Sequence, residues 1–279
     1  MITIGIVGLG LIGASMAKSA KKQNLDAKVY GFDIDRSVTE YALLSKIIDK
    51  ELTKENISDC DAVFVCLYPD ACVQYIKDNA KLFKKGGLVI DCAGVKRSVC
   101  TPCFEIAENE GFHFVGGHPM AGTQHSGIKN SKDTMFHNAC FVLVPKHYED
   151  VKVISAAREM VLAVGFSRVS VMTADRHDEL IAYTSQLAHV VSNAYVKSPC
   201  AISHKGISAG SYKDLTRVAY LNENMWTELF IDNKDNLLRE VEGIINSLTE
   251  YADALRNSDA DKLKELLLEG KKAKEAADA

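Results

Sequence analysis

The chain has 279 residues, of which 47% are hydrophobic and 25% charged, and its formal net charge is -4. These values are typical of a globular protein with one large or two smaller domains, and the acidic balance disfavours nucleic-acid or membrane-surface partners, which need a basic face. No apolar run reaches the roughly 18 residues of a membrane span, and the N-terminus lacks the basic segment of a signal peptide, so a cytoplasmic protein is expected.

Apolar strands alternate with helical segments through the first 172 residues. Strands are predicted at 2–7, 29–33, 61–68 and 87–92, within 113–119 and 139–145, and at 167–173. Helices are predicted at 14–23, 37–48, 71–83, 99–110 and 151–163. This alternation indicates crossover units and a mainly parallel sheet.

The pattern changes at about Thr173, after which no convincing strand occurs. Thr173 is a suitable N-cap for a helix with Asp175 in its first turn. Helices are predicted at 174–197, 213–230, 234–256 and 260–277. The expected fold is α/β, with an N-terminal Rossmann dinucleotide-binding domain at 1–172 and a C-terminal all-helical dimerisation domain at 173–279. Several apolar helix faces in this tail favour a homodimer formed through the helical domain.

Eight cysteines are present, and they are interpreted as small apolar residues in a reducing compartment. Cys100 and Cys103 form a C-x-x-C pair, but no second pair follows at the spacing of a zinc site. Neither a disulfide framework nor a metal site is therefore expected.

A glycine-rich loop links the first predicted strand to the first helix. Its residues are Gly8, Gly10, Leu11, Ile12 and Gly13, in the pattern G-x-G-x-x-G. The glycines allow a tight turn, close approach of a pyrophosphate and helix packing on the strand, and the phosphates would face the helix N-terminus. Asp33 ends the next strand 20 residues after Gly13, where a carboxylate binds ribose hydroxyls and repels a 2'-phosphate. The loop therefore predicts NAD as the cofactor in preference to NADP.

The stretch GGHPMAGTQHSG (116–127) follows the fifth predicted strand. It is therefore expected at the carboxyl edge of the sheet, where such folds bind ligands. A neutral histidine is suited to accept the hydroxyl proton while hydride leaves the same carbon. His118 is the candidate base, and a loop histidine with only a structural hydrogen bond is the alternative.

Three motifs give a more specific indication. GHPMAGTQHSG, SQLAH (185–189) and KDLTRVA (213–219), with GLGLIG, DCAGVK (91–96) and HDELIAYTSQLAH (177–189), resemble the prephenate/arogenate dehydrogenase family of tyrosine biosynthesis. The resemblance covers nearly the whole chain. It implies a Rossmann domain followed by an interleaved helical dimer, and a small-molecule substrate, prephenate or arogenate, that loses hydride and carbon dioxide as its ring becomes aromatic.

The same resemblance assigns roles to individual residues. It implies that His118 is the base at the 4-hydroxyl and that Arg217 binds a substrate carboxylate through its guanidinium fork. The further substrate contacts that it implies are His189, Thr123, Ser185, Gln124 and Trp226. From the residues alone, an interhelical ion pair is the favoured interpretation of Arg217, and a hydrogen-bonded core position that of His189. Tyrosine is a candidate feedback inhibitor at the active site.

The sequence departs from the family pattern at four positions, one of which is Lys213 in place of a frequent arginine. The family commonly has a serine at the position of Gly94, where its hydroxyl bonds the catalytic histidine and the substrate. Here a water substitutes, another residue orients His118, or turnover is slower. Gln124 stands where some members have glutamate, and Gln186 where many have histidine. The loss of a carboxylate at 124 favours prephenate over arogenate.

The sequence therefore predicts an NAD-dependent prephenate dehydrogenase that produces 4-hydroxyphenylpyruvate. Arogenate dehydrogenase is the nearest alternative. A dehydrogenase of the β-hydroxyacid or imine-reducing kind would place a catalytic lysine or other donor on the first long helix after the sheet, where this chain has Ser185 and His189. A non-catalytic NAD-binding regulator is an alternative of another class, suggested by Gly94.

Overall fold

An eight-stranded sheet forms the first part of the computed structural model, which describes residues 2–23, 26–123, 125–203 and 206–279. The strand order is β3-β2-β1-β4-β5-β6-β7-β8. The strands are β1 (Ile2–Val7), β2 (Ala27–Phe32), β3 (Lys50–Glu51), β4 (Ala62–Val65), β5 (Leu88–Asp91), β6 (His113–Pro119), β7 (Cys140–Val144) and β8 (Arg168–Val171).

The order of the first six strands is the doubly wound arrangement of dinucleotide-binding folds. β1 pairs in parallel with both β2 and β4, so the chain reverses its direction of winding between β1 and β4. Ligands bind at this point, outside the carboxyl ends of the strands. β7 is antiparallel to β6, and β8 is parallel to β7. The prediction of a mainly parallel sheet is confirmed, although the two-residue strand β3 was missed.

Helices cover both faces of this sheet. They are α1 (Leu11–Lys22), α2 (Arg36–Leu44), α3 (Pro69–Asn79), α4 (Arg97–Glu110) and α5 (Val151–Ala163). On one face the core includes Met16 of α1 and Val161 of α5, and on the other it includes Ile76 of α3 and Val99 of α4. Burying each such side chain stabilises the fold by about 1.5–3 kcal/mol. Four of the eight cysteines, Cys60, Cys72, Cys100 and Cys103, are buried in this way as free thiols.

The rest of the chain that the structure describes is helical. It contains α6 (Ala174–Ile181), a π-helical turn (Ala182–Leu187), α7 (Ala188–Tyr195), α8 (Gly210–Thr216), α9 (Glu223–Asp232), α10 (Lys234–Arg256) and α11 (Ala260–Asp278). The Thr173 hydroxyl caps α6 by accepting from the Arg176 N–H at 3.2 Å. The single helix predicted at 213–230 is wrong, because the chain leaves the helix after Thr216 and Asn222 caps a new one. No described helix is both long and apolar enough to cross a membrane.

Arg97 connects the two parts of the chain. From the start of α4 its guanidinium donates to Asp178 of α6 at 3.3 Å, to the Asn233 side chain at 3.0 Å and to Asp235 of α10 at 2.5 Å. The Asp235 side chain holds the pKa of Arg97 above its usual value. These contacts place α6 directly against the carboxyl edge of the sheet, beside β6.

Candidate active site

The glycine-rich loop lies between the end of β1 and the start of α1, at the reversal point of the sheet. Asp33 follows β2, and its carboxylate accepts from the Leu9 N–H at 2.8 Å and from the Asp35 N–H at 3.0 Å. Each carboxylate oxygen keeps further lone pairs, which can accept ribose hydroxyls. Arg36 is directed away from this position, since its side chain is 84% exposed and pairs with Glu40 at 3.0 Å.

The residues of the loop fit a dinucleotide. Gly10 is the N-cap of α1 and no side chain caps that helix among the described residues, so its first backbone N–H groups are free to face a phosphate. A Cβ at Gly10 would meet no atom of the described residues within 4 Å apart from its chain neighbours and its own helix backbone, which leaves space for the pyrophosphate. At Gly13 a Cβ would lie 2.0 Å from the Gly8 carbonyl oxygen and 2.9 Å from Ile6, so only glycine lets α1 pack this closely on β1. Leu11 and Ile12 form the start of α1 and are partly exposed.

Alanine at Gly10 is expected to affect NAD binding, whereas alanine at Gly13 is expected to affect stability. Gly10→Ala should leave the free energy of unfolding nearly unchanged and weaken NAD binding by about 10- to 100-fold, the loss of one or two charge-assisted phosphate contacts. Gly13→Ala should lower the free energy of unfolding by about 1–3 kcal/mol, because the backbone of the loop must move. Urea unfolding and NAD titration of each variant test this, and equal instability of both variants would contradict it.

His118 lies near the carboxyl end of β6, opposite Val142 of β7, and its side chain is half-buried. Its Nδ1 is 2.8 Å from Nε2 of His177, and Nδ1 of His177 is 2.7 Å from a carboxylate oxygen of Asp178. Burial lowers the pKa of His118 well below its usual value, and the neighbouring His177 and Lys96 lower it further. His118 is therefore neutral at physiological pH. Its Nδ1 is bonded to His177, and no hydrogen bond to its Nε2 occurs among the described residues, so this atom can accept from a ligand.

A fully buried ion pair lies beneath His118. Nζ of Lys96 donates to the carboxylate of Asp91 and to the Gly117 carbonyl, the latter at 2.5 Å. The Asp91 carboxylate also accepts from the N–H groups of Gly117 and Ala93, both at 2.9 Å. Burial lowers the pKa of Lys96, but the charge of Asp91, the hydrogen bond to it and the nearby Cys100 and Cys72 together outweigh burial and raise it. The ion pair thus hydrogen-bonds both the N–H and the carbonyl of Gly117, the residue that precedes His118.

A second group of predicted residues meets on the helical side of the site. His189 of α7 is 2.8 Å from the Ser185 carbonyl through Nδ1, and its ring packs on Trp226 of α9 with centroids 3.9 Å apart. Ser185 is on the π-helical turn, a feature common at functional sites. Burial lowers the pKa of His189, and the charge of Arg217, at the end of α8, lowers it further.

Gly94 connects this group to the sheet. A Cβ at Gly94 would lie 3.0 and 3.3 Å from the two methyl carbons of Leu229, and Leu229 is three residues after Trp226 on α9. Residues three apart share a helix face, so α9 presents both side chains toward the loop after β5. Gln186 donates to the Leu229 carbonyl at 3.0 Å and holds this helix in place. The leucine thus occupies the space beside Gly94.

Serine at position 94 is expected to give no large gain in turnover. Its Cβ must displace Leu229 by a few tenths of an ångström, so the free energy of unfolding should fall by about 1 kcal/mol. Because His177 already bonds His118, a serine hydroxyl supplies no missing partner. Gly94→Ala is the matched control, since it adds the same Cβ without the hydroxyl. A Gly94→Ser enzyme with kcat more than tenfold above that of Gly94→Ala would contradict this expectation.

The remaining two predicted residues, Thr123 and Gln124, follow β6 along the chain. Thr123 is exposed, and its hydroxyl donates to the His125 carbonyl at 2.9 Å. Gln124 lies outside the described residues. His177 and Asp178 were missed as site residues. The available signal was a histidine followed directly by an aspartate in the first helix after the sheet. The structure buries both of these polar side chains.

A parallel sheet of this strand order, a glycine-rich loop that fits a pyrophosphate and a neutral histidine at the sheet edge define a dinucleotide-dependent dehydrogenase. Two family models match the chain: "Prephenate dehydrogenase, nucleotide-binding domain" over residues 16–170, and "Prephenate dehydrogenase, dimerization domain" over residues 173–269. The chain belongs to the prephenate dehydrogenase family and is an NAD-dependent dehydrogenase.

Individual relatives agree with this assignment. The chain is 29% identical to the prephenate dehydrogenase of Lactococcus lactis, over 99% of the chain and 77% of that protein. It is 28% identical to the cyclohexadienyl dehydrogenase of Zymomonas mobilis, over 97% of the chain and 94% of that protein. Among solved structures, prephenate dehydrogenase of A. aeolicus with hydroxyphenyl propionate and NAD+ has a TM-score of 0.84 and 27% identity, and covers 99% of this chain and 98% of that one.

Proposed function

We propose that this enzyme oxidises prephenate with NAD+, releases carbon dioxide and produces 4-hydroxyphenylpyruvate for tyrosine biosynthesis. The observation that carries the proposal is the placement of His118, a neutral base at the sheet edge with one ring nitrogen held by the protein and the other available. The family and the A. aeolicus complex with NAD+ and a hydroxyphenyl acid support it.

In this mechanism Nε2 of His118 accepts the hydrogen bond of the substrate 4-hydroxyl. NAD+ held at the glycine-rich loop and Asp33 would supply the acceptor for the hydride that leaves C4. As the hydride leaves, electrons from the bond between C1 and its carboxylate enter the ring, and carbon dioxide departs. His118 accepts the hydroxyl proton as the carbon–oxygen bond shortens and returns it to the oxygen of the phenol that forms. Aromatisation drives the step, so the protein mainly aligns and polarises the substrate.

Substrate binding is assigned to the residues on the helical side of the site. We place a substrate carboxylate at Arg217, whose fork suits a bidentate contact. His189 carries its proton on Nδ1, because the Ser185 carbonyl only accepts, so its Nε2 can accept from the ligand. Trp226 packs against one face of that ring. Thr123, Ser185 and Gln124 are proposed as smaller polar contacts, and tyrosine as an inhibitor that occupies the same pocket.

The helical domain is proposed to form a homodimer, with the domain boundary between 172 and 173. Large apolar side chains on α10 and α11 are more than half exposed, namely Leu238, Ile245, Leu248, Leu255 and Leu267. Faces of this kind on a monomer mark interaction sites, and the family model over this part is the dimerization domain. Light scattering of the purified protein at twice the mass of 30.6 kDa would support this arrangement.

The direct test of function is the formation of reduced nicotinamide with prephenate or arogenate, each with NAD+ or NADP+. Turnover with prephenate and NAD+ is expected, and a higher kcat/KM with arogenate would assign the enzyme to the alternative substrate. Absence of turnover in all four mixtures, from protein that binds NAD+, would overturn the proposed reaction.

A further inference from the structure

A buried histidine and a buried carboxylate lie in line behind His118. His177 is 1% exposed and Asp178 is fully buried, and both belong to α6, not to the sheet. The distances are 2.8 Å from His118 Nδ1 to His177 Nε2, and 2.7 Å from His177 Nδ1 to an Asp178 oxygen. All the groups along this line are within hydrogen-bond distance.

The proton positions along the line follow from the carboxylate. Asp178 accepts from the backbone N–H groups of Lys96 at 2.8 Å and Arg97 at 2.9 Å, as well as from the Arg97 side chain. Burial raises the pKa of Asp178, but the bonds from His177 and from the Arg97 and Lys96 N–H groups outweigh burial and lower it. An ionised carboxylate has no proton to donate, so Nδ1 of His177 must carry one.

The same reasoning extends to His118. Burial lowers the pKa of His177 and outweighs the opposing bond to Asp178, so His177 is neutral and its Nε2 has a lone pair and no proton. Its partner at 2.8 Å, Nδ1 of His118, must therefore donate. A neutral His118 with its proton on Nδ1 has a lone pair on Nε2, and the opposite tautomer would bring two lone pairs together at the His118–His177 contact.

We infer that His177 and Asp178 are positioning residues that hold His118 in the one tautomer able to accept a substrate proton. The inference deepens the function proposed for His118 and rests on it. It also explains how the site is ordered although Gly94 has no side chain. Since α6 belongs to the helical domain and β6 to the nucleotide-binding domain, the base is set only when the two domains are packed together.

Two variants at position 177 separate positioning from packing. His177→Gln retains an amide oxygen near the position of Nε2 that can accept from His118, whereas His177→Leu fills a similar volume and accepts nothing. In holoenzyme labelled with 15N-histidine, the His118 ring signals are identified by their absence in His118→Asn. We expect the Nδ1–H tautomer in wild type and His177→Gln, and loss of that single tautomer in His177→Leu.

Kinetics supply the second readout. His177→Leu should lower kcat by about 100-fold or more, with little change in KM or NAD+ affinity, and His177→Gln should recover a large part of the loss. His113 lies at the exposed start of β6, the strand that carries His118. His113→Leu is therefore the matched control and should resemble wild type.

The outcomes distinguish this inference from the proposed function. An Nε2–H tautomer of His118 in wild type, or an unchanged tautomer in folded His177→Leu, would overturn the inference even if turnover were normal. If His177→Leu does not fold, two results still overturn the inference: an Nε2–H tautomer of His118 in wild type, or a His177→Gln enzyme whose kcat falls as far as was expected for His177→Leu. Absence of turnover with every substrate would overturn the reaction, while the spectra would still report on the positioning.

Discussion

Replacing His118 with asparagine is expected to lower kcat by about 10²- to 10⁴-fold, the usual contribution of a positioned general base, while the affinity for NAD+ stays unchanged. The asparagine amide nitrogen lies near the position of Nδ1, so the variant can keep the hydrogen bond to His177 that is 2.8 Å long in the wild type. It has no counterpart of Nε2, so only the proton acceptor is removed. Initial rates at saturating substrate and NAD+ titration measure the two quantities separately.

The comparison of kinetic constants decides what His118 does. A fall in kcat and kcat/KM by equal factors indicates an interaction made only in the transition state. Equal losses of turnover and NAD+ affinity would instead indicate a structural role for the side chain. His137→Asn is a suitable control, because His137 is an exposed histidine between β6 and β7.

The fold was accessible from the sequence because its signals are local. Apolar runs separated by helical segments predicted the sheet, and the glycine pattern predicted the turn between β1 and α1. The misplaced helix at 213–230 shows the limit of such signals. Its residues have helical character throughout, so the pattern does not reveal the break after Thr216. The new helix α9 begins where the side-chain oxygen of Asn222 caps it by accepting from the Met225 N–H at 3.0 Å.

The site was predictable only in part, for a different physical reason. His118 is indicated by its place at the carboxyl end of a predicted strand, but its partner His177 is 59 residues away along the chain. Likewise the contact of Leu229 with Gly94 joins a helix to a loop of the other domain. Pairings of this kind depend on how the helical domain packs against the sheet, which periodicity and spacing do not encode. The motifs shared with the family indicated the substrate-binding residues on the helical side, but not the hydrogen bonds from His118 to His177 and from His177 to Asp178.

The buried pair beneath the site predicts the largest effect on stability. Lys96→Met should lower the free energy of unfolding by about 3–5 kcal/mol, because it leaves the fully buried Asp91 carboxylate without its counter-charge. That loss is a large part of the about 5–15 kcal/mol that stabilises a typical domain. Methionine matches the length of the lysine chain, so loss of packing contributes little. Urea unfolding without NAD+ measures the change directly.

Two further variants isolate the charge. Lys84→Met removes an exposed partner of Asp61, 2.5 Å away, and should cost at most about 1 kcal/mol. Lys96→Met with Asp91→Asn removes both buried charges and should recover part of the loss, although the amide can replace only some of the bonds that Asp91 accepts from Gly117 and Ala93. If the single and double variants were equally unstable, the uncompensated carboxylate would not be the cause. The lost contacts of the lysine to the Gly117 carbonyl would then account for the effect, and kcat would fall with stability because that residue precedes His118.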